Sequence, residues 1–189
     1  AEVGDDGYGE DPTVNRLQEL AADATGTAAA LYVPSGTMAN QLALRVLARV
    51  GTEVLCAERA HVYRYEAAAA GRNAAVQLRP LDDRDGLLHA AAVERALADR
   101  AHHLPPISLV CIENTHMPAS GRPWTRAEVV AVAEVVRREG LALHCDGARV
   151  FNAAVAIGTS VASLVDRADT VMFCLSKGLG APVGSLLCG

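Results

Sequence analysis

Lys177 is the residue with the clearest potential for covalent chemistry. It follows the apolar run Thr170–Leu175 and precedes a glycine-rich turn at residues 178–182. A lysine that ends a buried strand, with apolar walls nearby, suits an amine that forms an imine with a carbonyl compound. We therefore expect Lys177 to attach covalently to a ligand that carries a carbonyl group.

A carboxylate and a guanidinium follow another apolar run. Asp146 comes directly after Ala142–Cys145, and Arg149 lies three residues further on. An aspartate at this position either caps the next helix and pairs with Arg149, or holds a cationic group of a ligand in the cleft. The sequence leaves both interpretations open.

A third apolar run, Ala29–Val33, leads into a helix through Ser35, Gly36 and Thr37. Glycine allows a ligand to approach the backbone closely, and a Ser or Thr cap leaves the first N–H groups of the helix facing outward. These residues predict a phosphate cradle. Taken alone the pattern is weak, because such caps are common where no ligand binds.

Two histidines follow the remaining apolar runs. His61 can stack on a flat ring, and Glu66 can reach the same cleft from the following helix, although a solvated helix start is the alternative. His116 ends the polar stretch Glu113–His116, which is richer than a simple loop needs. We regard His61, Glu66 and His116 as candidate groups for proton transfer.

Short apolar strands and amphipathic helices must position these side chains. Apolar runs predict seven strands, at Ala29–Val33, Glu53–Cys56, Ala75–Pro80, Ser108–Ile112, Ala142–Cys145, Thr170–Leu175 and Gly184–Cys188. Three- and four-residue spacing of apolar side chains predicts helices between the first five strands, at Met38–Arg49, Val62–Ala70, Ala90–Asp99 and Arg126–Glu139.

Helices that cross over between strands give parallel pairing, and strands that are apolar throughout indicate a sheet covered on both faces. We therefore predict an α/β fold of one domain, with three α/β/α layers around a mostly parallel seven-stranded sheet. Only residues 177–183 separate the last two strands. That segment is too short for a helical crossover, so we expect the last strand to run antiparallel.

Ligands bind beyond the carboxyl ends of the strands in such a sheet, and all the candidate residues lie there. Together they would form a phosphate cradle, an imidazole stacked on a ring, an anion for a pyridinium proton and a lysine for a Schiff base. These are the parts that a pyridoxal-phosphate site requires.

The composition favours a small-molecule substrate over a nucleic-acid or membrane partner. The 189 residues carry a net charge of −5, and the basic residues are scattered rather than clustered. No apolar stretch is long enough to span a bilayer, and the N-terminus is acidic where a signal peptide would be basic. The five cysteines include no CxxC pair, which favours neither disulfides nor a metal site. We expect a cytoplasmic protein without a metal.

The motifs resemble those of the aromatic amino acid β-eliminating lyase and threonine aldolase family, which belongs to fold type I of the pyridoxal enzymes. The resemblance covers essentially the whole chain, and the joint presence of the motifs in order is highly specific. They lie at residues 4–13, 35–37, 113–116, 146–149 and 176–185.

The resemblance implies a lyase that cleaves L-threonine or L-allo-threonine to glycine and an aldehyde, with pyridoxal phosphate as cofactor, in a homodimer or homotetramer. It implies roles in cofactor binding for Lys177, Asp146, Arg149, Gly36, Thr37 and His61. Lys177 would form the Schiff base, Asp146 would bind the pyridine nitrogen and His61 would stack on the ring.

The resemblance also implies which residues meet the substrate. His116 would contact the hydroxyl group of the substrate, and Arg149 would also contact the substrate. Tyr65 and Glu66 match positions implicated in substrate binding and proton handling. The base that takes the hydroxyl proton is His116, His61 or a water held by Glu66, and the sequence leaves this choice open.

Members of the family also have an N-terminal segment with an Arg-Ser-Asp-type motif and a small C-terminal domain. We therefore expect residues 1–189 to be the large, pyridoxal-phosphate-binding domain, truncated at both ends. Two other interpretations remain open. One is a related β-eliminating lyase or racemase that uses the same lysine and aspartate, and the other is a non-catalytic remnant that binds the cofactor weakly.

Overall fold

A single sheet forms the centre of the structure, a computed structural model described for residues 1–99 and 101–189. Its strands coincide with the seven apolar runs, because aliphatic side chains suit a sheet that is buried on both faces. The strands are β1 (Ala30–Val33), β2 (Glu53–Ala57), β3 (Gln77–Leu81), β4 (Ile107–Glu113), β5 (Ala142–Asp146), β6 (Thr170–Cys174) and β7 (Ser185–Cys188). All seven predicted strands are confirmed.

Helices connect the strands and cover both faces of the sheet. In the described residues they are α1 (Pro12–Thr25), α2 (Gly36–Leu47), α3 (His61–Arg64), α4 (Ala69–Asn73), α5 (Ala90–Ala98), α6 (Arg126–Arg138), α7 (Val150–Ile157) and α8 (Val161–Val165). Short 3-10 turns lie at Asp6–Tyr8 and Met117–Ala119. None of the described helices has both the length and the apolar character needed to cross a membrane.

The strand order is β1-β7-β6-β5-β4-β2-β3. The neighbours from β6 through to β3 pair in parallel, whereas β7 pairs antiparallel with both β6 and β1. Six strands therefore point the same way and β7 alone is reversed, as expected from the short connection before it. The mostly parallel sheet predicted from the sequence is confirmed.

Alternate side chains of each central strand feed two separate cores. Leu55 and Val110 belong to the larger core, which also contains buried residues of α5, α6, α7 and α8. Val54 and Leu109 belong to the opposite core, together with buried residues of α2 and α4. Since both faces of the sheet are covered, the three-layer α/β/α arrangement predicted from the sequence is confirmed.

The helix expected at Val62–Ala70 is wrong as one continuous element. The chain forms α3 and α4 instead, and Ala67 and Ala68 between them have φ values of 51° and 58°. The side chain of Glu66 is buried here at 3% exposure, and its carboxylate is bonded from neighbouring elements. The backbone leaves the helix at this point, so that the carboxylate can point inward instead of remaining on a solvated helix face. Helices α1, α7 and α8 were not predicted.

The turn from β5 to α7 needs a glycine for close packing. A Cβ atom on Gly147 would lie 2.7 Å from the carbonyl oxygen of Met172 and 3.1 Å from side-chain atoms of Val150 and Val171. The Gly147 N–H donates to that same Met172 carbonyl at 2.9 Å. The backbone of β6 thus fixes the turn that immediately follows Asp146.

We expect Gly147→Ala to lower the free energy of unfolding by about 1–3 kcal/mol, because backbone atoms must move to admit the methyl group. Gly71→Ala is the matched control, since a Cβ there meets only the Val76 carbonyl at 3.8 Å, an ordinary contact. Urea denaturation followed by circular dichroism measures both variants. An unchanged midpoint for Gly147→Ala would contradict the close packing.

Candidate functional site

The carboxyl ends of the parallel strands open into one cavity of about 320 Å³. Its walls come from the ends of β4, β5 and β6 and from the segments that follow β1, β2, β4, β5 and β6, the last of which leads into β7. Seven of the candidate residues line it: Gly36, Thr37, His61, Tyr65, Asp146, Arg149 and Lys177. The strand ends thus bring together residues that lie up to 141 positions apart in the sequence.

Helix α2 begins at the wall of this cavity. Ser35 caps the helix by accepting a hydrogen bond from the Met38 N–H at 3.2 Å. A Cβ atom on Gly36 would lie 2.9 Å from Cys174 Sγ and 2.9 Å from Met172 Cε, so glycine lets the helix start pack against β6. The first N–H groups of the twelve-residue helix have no carbonyl partner within the helix, and they suit an anionic group.

Asp146 lies at the bottom of the cavity and is 5% exposed. One carboxylate oxygen accepts from the Ala148 N–H at 3.0 Å, and the other accepts from Asn40 Nδ2 at 2.8 Å. Burial and the nearby Glu113 carboxylate raise the pKa of Asp146, whereas the bonds from Asn40 and Ala148 act in the opposite direction. Asp146 accepts from Asn40 and Ala148 rather than pairing with Arg149, so the helix-cap interpretation with an Arg149 ion pair is wrong.

Glu66 does not line the cavity itself, but its carboxylate contacts His61, which does. Glu66 Oε1 is 2.9 Å from His61 Nδ1, and Gln41 Nε2 donates to Glu66 Oε2 at 2.6 Å. The hydrogen bond to Glu66 raises the pKa of His61 against the effect of its partial burial. The ring of His61 lines the cavity, with its centroid 5.6 Å from that of the Tyr65 ring.

The structure places His116 away from the position expected for a substrate contact. It is 1% exposed and does not line the cavity, whereas Met117 and Pro118 do. His116 Nε2 lies 2.7 Å from Asp83 Oδ2, and Nδ1 lies 3.7 Å from Glu113 Oε2. The Nε2–Asp83 contact lacks hydrogen-bond geometry and is therefore chiefly electrostatic.

The charge state of His116 follows from these two carboxylates. Burial lowers the pKa of His116, but Glu113 and Asp83 outweigh burial, so the pKa is raised overall. Arg59 holds Asp83 in turn, since its Nε donates to Asp83 Oδ1 at 2.8 Å. After β4 the chain turns back on itself through a backbone bridge between His116 and Arg122, and the imidazole of His116 is buried against Asp83 and Glu113 instead of facing a ligand.

Glu113, the last residue of β4, occupies the cavity wall, although we had not singled it out. Its Oε2 accepts from the His61 N–H at 2.7 Å and its Oε1 from the Met117 N–H at 3.2 Å. Burial raises the pKa of Glu113, but the nearby His116 imidazole and the bonds from the His61 and Met117 N–H groups lower it overall. Glu113 pairs in register with Asp146, so its place at the end of an apolar run was the sequence signal for it.

Asn40 is a second residue that sequence reasoning missed. It lines the cavity one helical turn after Gly36, and its amide bonds both Asp146 and Glu66. Its four-residue spacing from Gly36 was the available signal.

Lys177 is exposed rather than buried at the strand edge as expected, because β6 ends three residues earlier at Cys174. Its Nζ lies 3.2 Å from Cys174 Sγ at the cavity wall. It is also the only lysine among the 17 basic Lys and Arg residues of the chain. Any lysine chemistry of this chain therefore occurs at this cavity.

His61, Glu66 and Asp146 present ligand atoms within 4.8 Å of one another, a spacing that can hold a metal ion. Asn40 already donates to an oxygen of each carboxylate. The absence of a metal stays a prediction from the sequence.

Comparison with known proteins identifies relatives over the whole chain. The sequence profile of the beta-eliminating lyase family matches residues 1–189. The low-specificity L-threonine aldolase 1 of Arabidopsis thaliana is 42% identical over 193 residues, which is 100% of this chain and 54% of the relative. The low specificity L-threonine aldolase of Escherichia coli is 42% identical over 190 residues, 100% of this chain and 56% of the relative.

A solved structure of a threonine aldolase from Leishmania major shares the fold. It has a TM-score of 0.84 at 24% identity, covering 95% of this chain and 53% of that one. The chain spans about half the length of the relatives it matches.

We expect Asp83→Asn to lower the pKa of His116, because burial then acts with one fewer opposing carboxylate. A histidine whose folded pKa is raised contributes stability that is lost as the pH rises above its unfolded value of about 6.5 and through the folded pKa. This loss should be smaller in Asp83→Asn. Histidine NMR titration measures the pKa, and Asp85→Asn, in an exposed pair with His89, is the control. An unchanged His116 titration in Asp83→Asn would contradict the pairing.

Proposed function

The chain belongs to the beta-eliminating lyase family, and on that premise we propose that it is the large domain of a pyridoxal-phosphate-dependent threonine aldolase. The reaction is retro-aldol cleavage of L-threonine or L-allo-threonine to glycine and an aldehyde. Relatives of that name at about 40% identity support it. The observation that carries the proposal is the cavity itself, which is lined by both the only lysine of the chain and a buried aspartate.

The residues present fit the cofactor without adjustment of the fold. The start of α2 at Gly36 and Thr37 suits the phosphate, because unpartnered N–H groups bind anions. Asp146 suits a protonated ring nitrogen, since a buried carboxylate gains a cationic partner. Lys177 supplies the amine for covalent attachment. When bound, pyridoxal phosphate supplies an electron sink for the electron pair of the broken Cα–Cβ bond.

Arg149 and His61 complete the cofactor shell. Arg149 lines the same wall as Asp146, where its guanidinium suits the cofactor and the substrate carboxylate. His61 is held at two points: Glu66 contacts its imidazole at Nδ1, and Glu113 accepts from its backbone N–H. This clamp favours stacking of the ring on the flat cofactor.

We assign the removal of the β-hydroxyl proton to His61, whose Nδ1 contacts the Glu66 carboxylate. His61 lines the cavity, and Glu66 fixes the ring and balances the charge that the imidazole gains. Tyr65 is 67% exposed at the rim and suits a substrate contact. His116 acts indirectly in this proposal, because it lies next to Glu113, which holds the backbone of His61.

We propose a cytoplasmic homodimer or homotetramer. All five cysteines are free and buried, which supports a reducing compartment. Leu179 and Val183 are apolar but 44% and 62% exposed, close to the cavity, which supports their burial by further protein.

We expect borohydride reduction in the presence of pyridoxal phosphate to leave a pyridoxyl group on Lys177, as located by peptide mass mapping. Lys177→Arg is the matched control, because it keeps the charge but lacks an amine that forms an imine. A label on a different residue, or no label with cofactor in excess, would reject the assignment.

We expect the full-length gene product to release acetaldehyde from L-threonine or L-allo-threonine, and not pyruvate from serine. Cleavage requires a base for the hydroxyl proton, so His61→Gln should lower kcat by about 10²–10⁴-fold. His89→Gln is the control, since His89 pairs with Asp85 and lies outside the cavity lining. Coupled assays for acetaldehyde and pyruvate separate the outcomes, and pyruvate from serine with no acetaldehyde from either threonine isomer would sink the aldolase proposal.

A further inference from the structure

A single amide joins two of the buried carboxylates of the site. Asn40 is 1% exposed, and its Nδ2 donates to Glu66 Oε1 at 2.8 Å and to Asp146 Oδ2 at 2.8 Å. An amide nitrogen carries two hydrogens, so each carboxylate takes one of them. On the other side, Asn40 Oδ1 lies 3.0 Å from His144 Nε2.

His144 is a neutral ring with one possible tautomer in this arrangement. It is 1% exposed, and burial lowers the pKa of His144 to about 4. The amide oxygen of Asn40 can only accept, so His144 Nε2 must carry the hydrogen. His144 Nδ1 then accepts from the Thr170 hydroxyl, whose oxygen is 2.8 Å away.

The two carboxylates fix the orientation of the amide, and the amide in turn fixes this tautomer. If the amide were flipped, Asn40 Oδ1 would face the oxygens of Asp146 and Glu66. Acceptors would meet acceptors, which is costly in a buried site. Asn40 therefore delivers two N–H groups to the carboxylates, and His144 and Thr170 complete the hydrogen bonding behind it.

Asp146 needs these groups because its surroundings are otherwise unfavourable to an anion. Glu66 reaches it from the α3–α4 connection and Glu113 from the end of β4, and both are carboxylates. The imidazole of His61 is the cationic group that faces it, and the thiols of Cys111 on β4 and of Cys145, the preceding residue of β5, lie close to it. Its other oxygen receives only the Ala148 N–H.

We propose that Asn40 is a positioning residue that keeps Asp146 ionised and aimed at the cavity, and that His144 completes the hydrogen bonding of its amide. The inference deepens the proposed function and rests on it, because an ionised Asp146 matters only if a cationic ring nitrogen binds there. Asn40 thus affects the cofactor only through its hydrogen bond to Asp146. Its second hydrogen bond, to Glu66, also helps to hold the carboxylate that contacts the His61 ring.

The test uses the protein reconstituted with pyridoxal phosphate that carries ¹⁵N in its ring. In Asn40→Ala, Asp146 loses a donor, so a shared proton moves from the ring nitrogen to the carboxylate. We expect the ring ¹⁵N resonance at pH 7 to move toward its unprotonated position, and the cofactor affinity to fall about tenfold.

Gln41→Ala is the matched control. Gln41 is the next residue of α2, and its amide donates to Glu66 at 2.6 Å, while the donors to Asp146 are Asn40 and Ala148. We expect its ring ¹⁵N resonance to match that of the unaltered protein. An equal shift in both variants, or no shift in either, would overturn the inference.

Two further outcomes keep the inference separate from the proposed function. If the unaltered protein fails to bind pyridoxal phosphate, the proposed function falls and the inference falls with it. Normal binding with an unchanged ring signal in Asn40→Ala removes the inference alone.

Histidine ¹⁵N NMR of the unaltered protein without cofactor needs no variant that might fail to fold. We expect His144 to remain neutral with Nε2 protonated from pH 5 to 8. Protonation of Nδ1 in that range would overturn the fixed orientation of the amide.

Discussion

The burial of two carboxylates beneath one cavity is the constraint on which the rest of this structure depends. Asp146 and Glu66 are 5% and 3% exposed, and a buried carboxylate without partners is costly. Each is satisfied by donors from different elements: Asn40 and Gln41 from α2, His61 from α3, and the Ala148 N–H after β5. The positions of α2 and α3 relative to the sheet are therefore tied to the chemistry of the site.

A second charged network reaches the cavity through Glu113. Arg59 holds Asp83, Asp83 faces His116, and His116 lies beside Glu113. Glu113 returns to the cavity and accepts the backbone N–H of His61 at 2.7 Å. The two networks meet at His61, whose side chain is fixed by the first and whose backbone is fixed by the second. Such a clamp lowers the conformational entropy that the imidazole must lose when a ligand binds.

The pKa of Asp146 is raised and the pKa of Glu113 is lowered, although the two residues pair in register on β5 and β4. Both end buried strands, and burial raises the pKa of each. At Glu113, the nearby His116 imidazole and the bonds from two backbone N–H groups more than offset burial, whereas at Asp146 burial and the Glu113 charge outweigh the bonds from Asn40 and Ala148. A cationic ligand group beside Asp146 would supply what its protein partners lack, which is the electrostatic basis of the proposed cofactor site.

Local patterns in the sequence determined the strands and the positions where they end. Apolar runs, and the Gly, Pro and polar residues that end them, are local properties of the sequence, so all seven strands were predicted. Their ends in turn predicted that Lys177, Asp146 and His61 lie at the carboxyl edge of the sheet. The reversed β7 also followed from the length of one connection. The order of the strands did not, because it depends on pairing between distant segments.

Tertiary structure alone decided which side chains after a strand end face the cavity. His116 turned out to be buried between Asp83 and Glu113, where the chain turns back on itself through the bridge to Arg122. Asn40 bonds Glu66 and Asp146 across separations of 26 and 106 residues, and no local pattern encodes such partners. Propensity and periodicity describe neighbours along the chain, whereas the pairing of buried polar groups is set by the packing of distant elements and must be satisfied there.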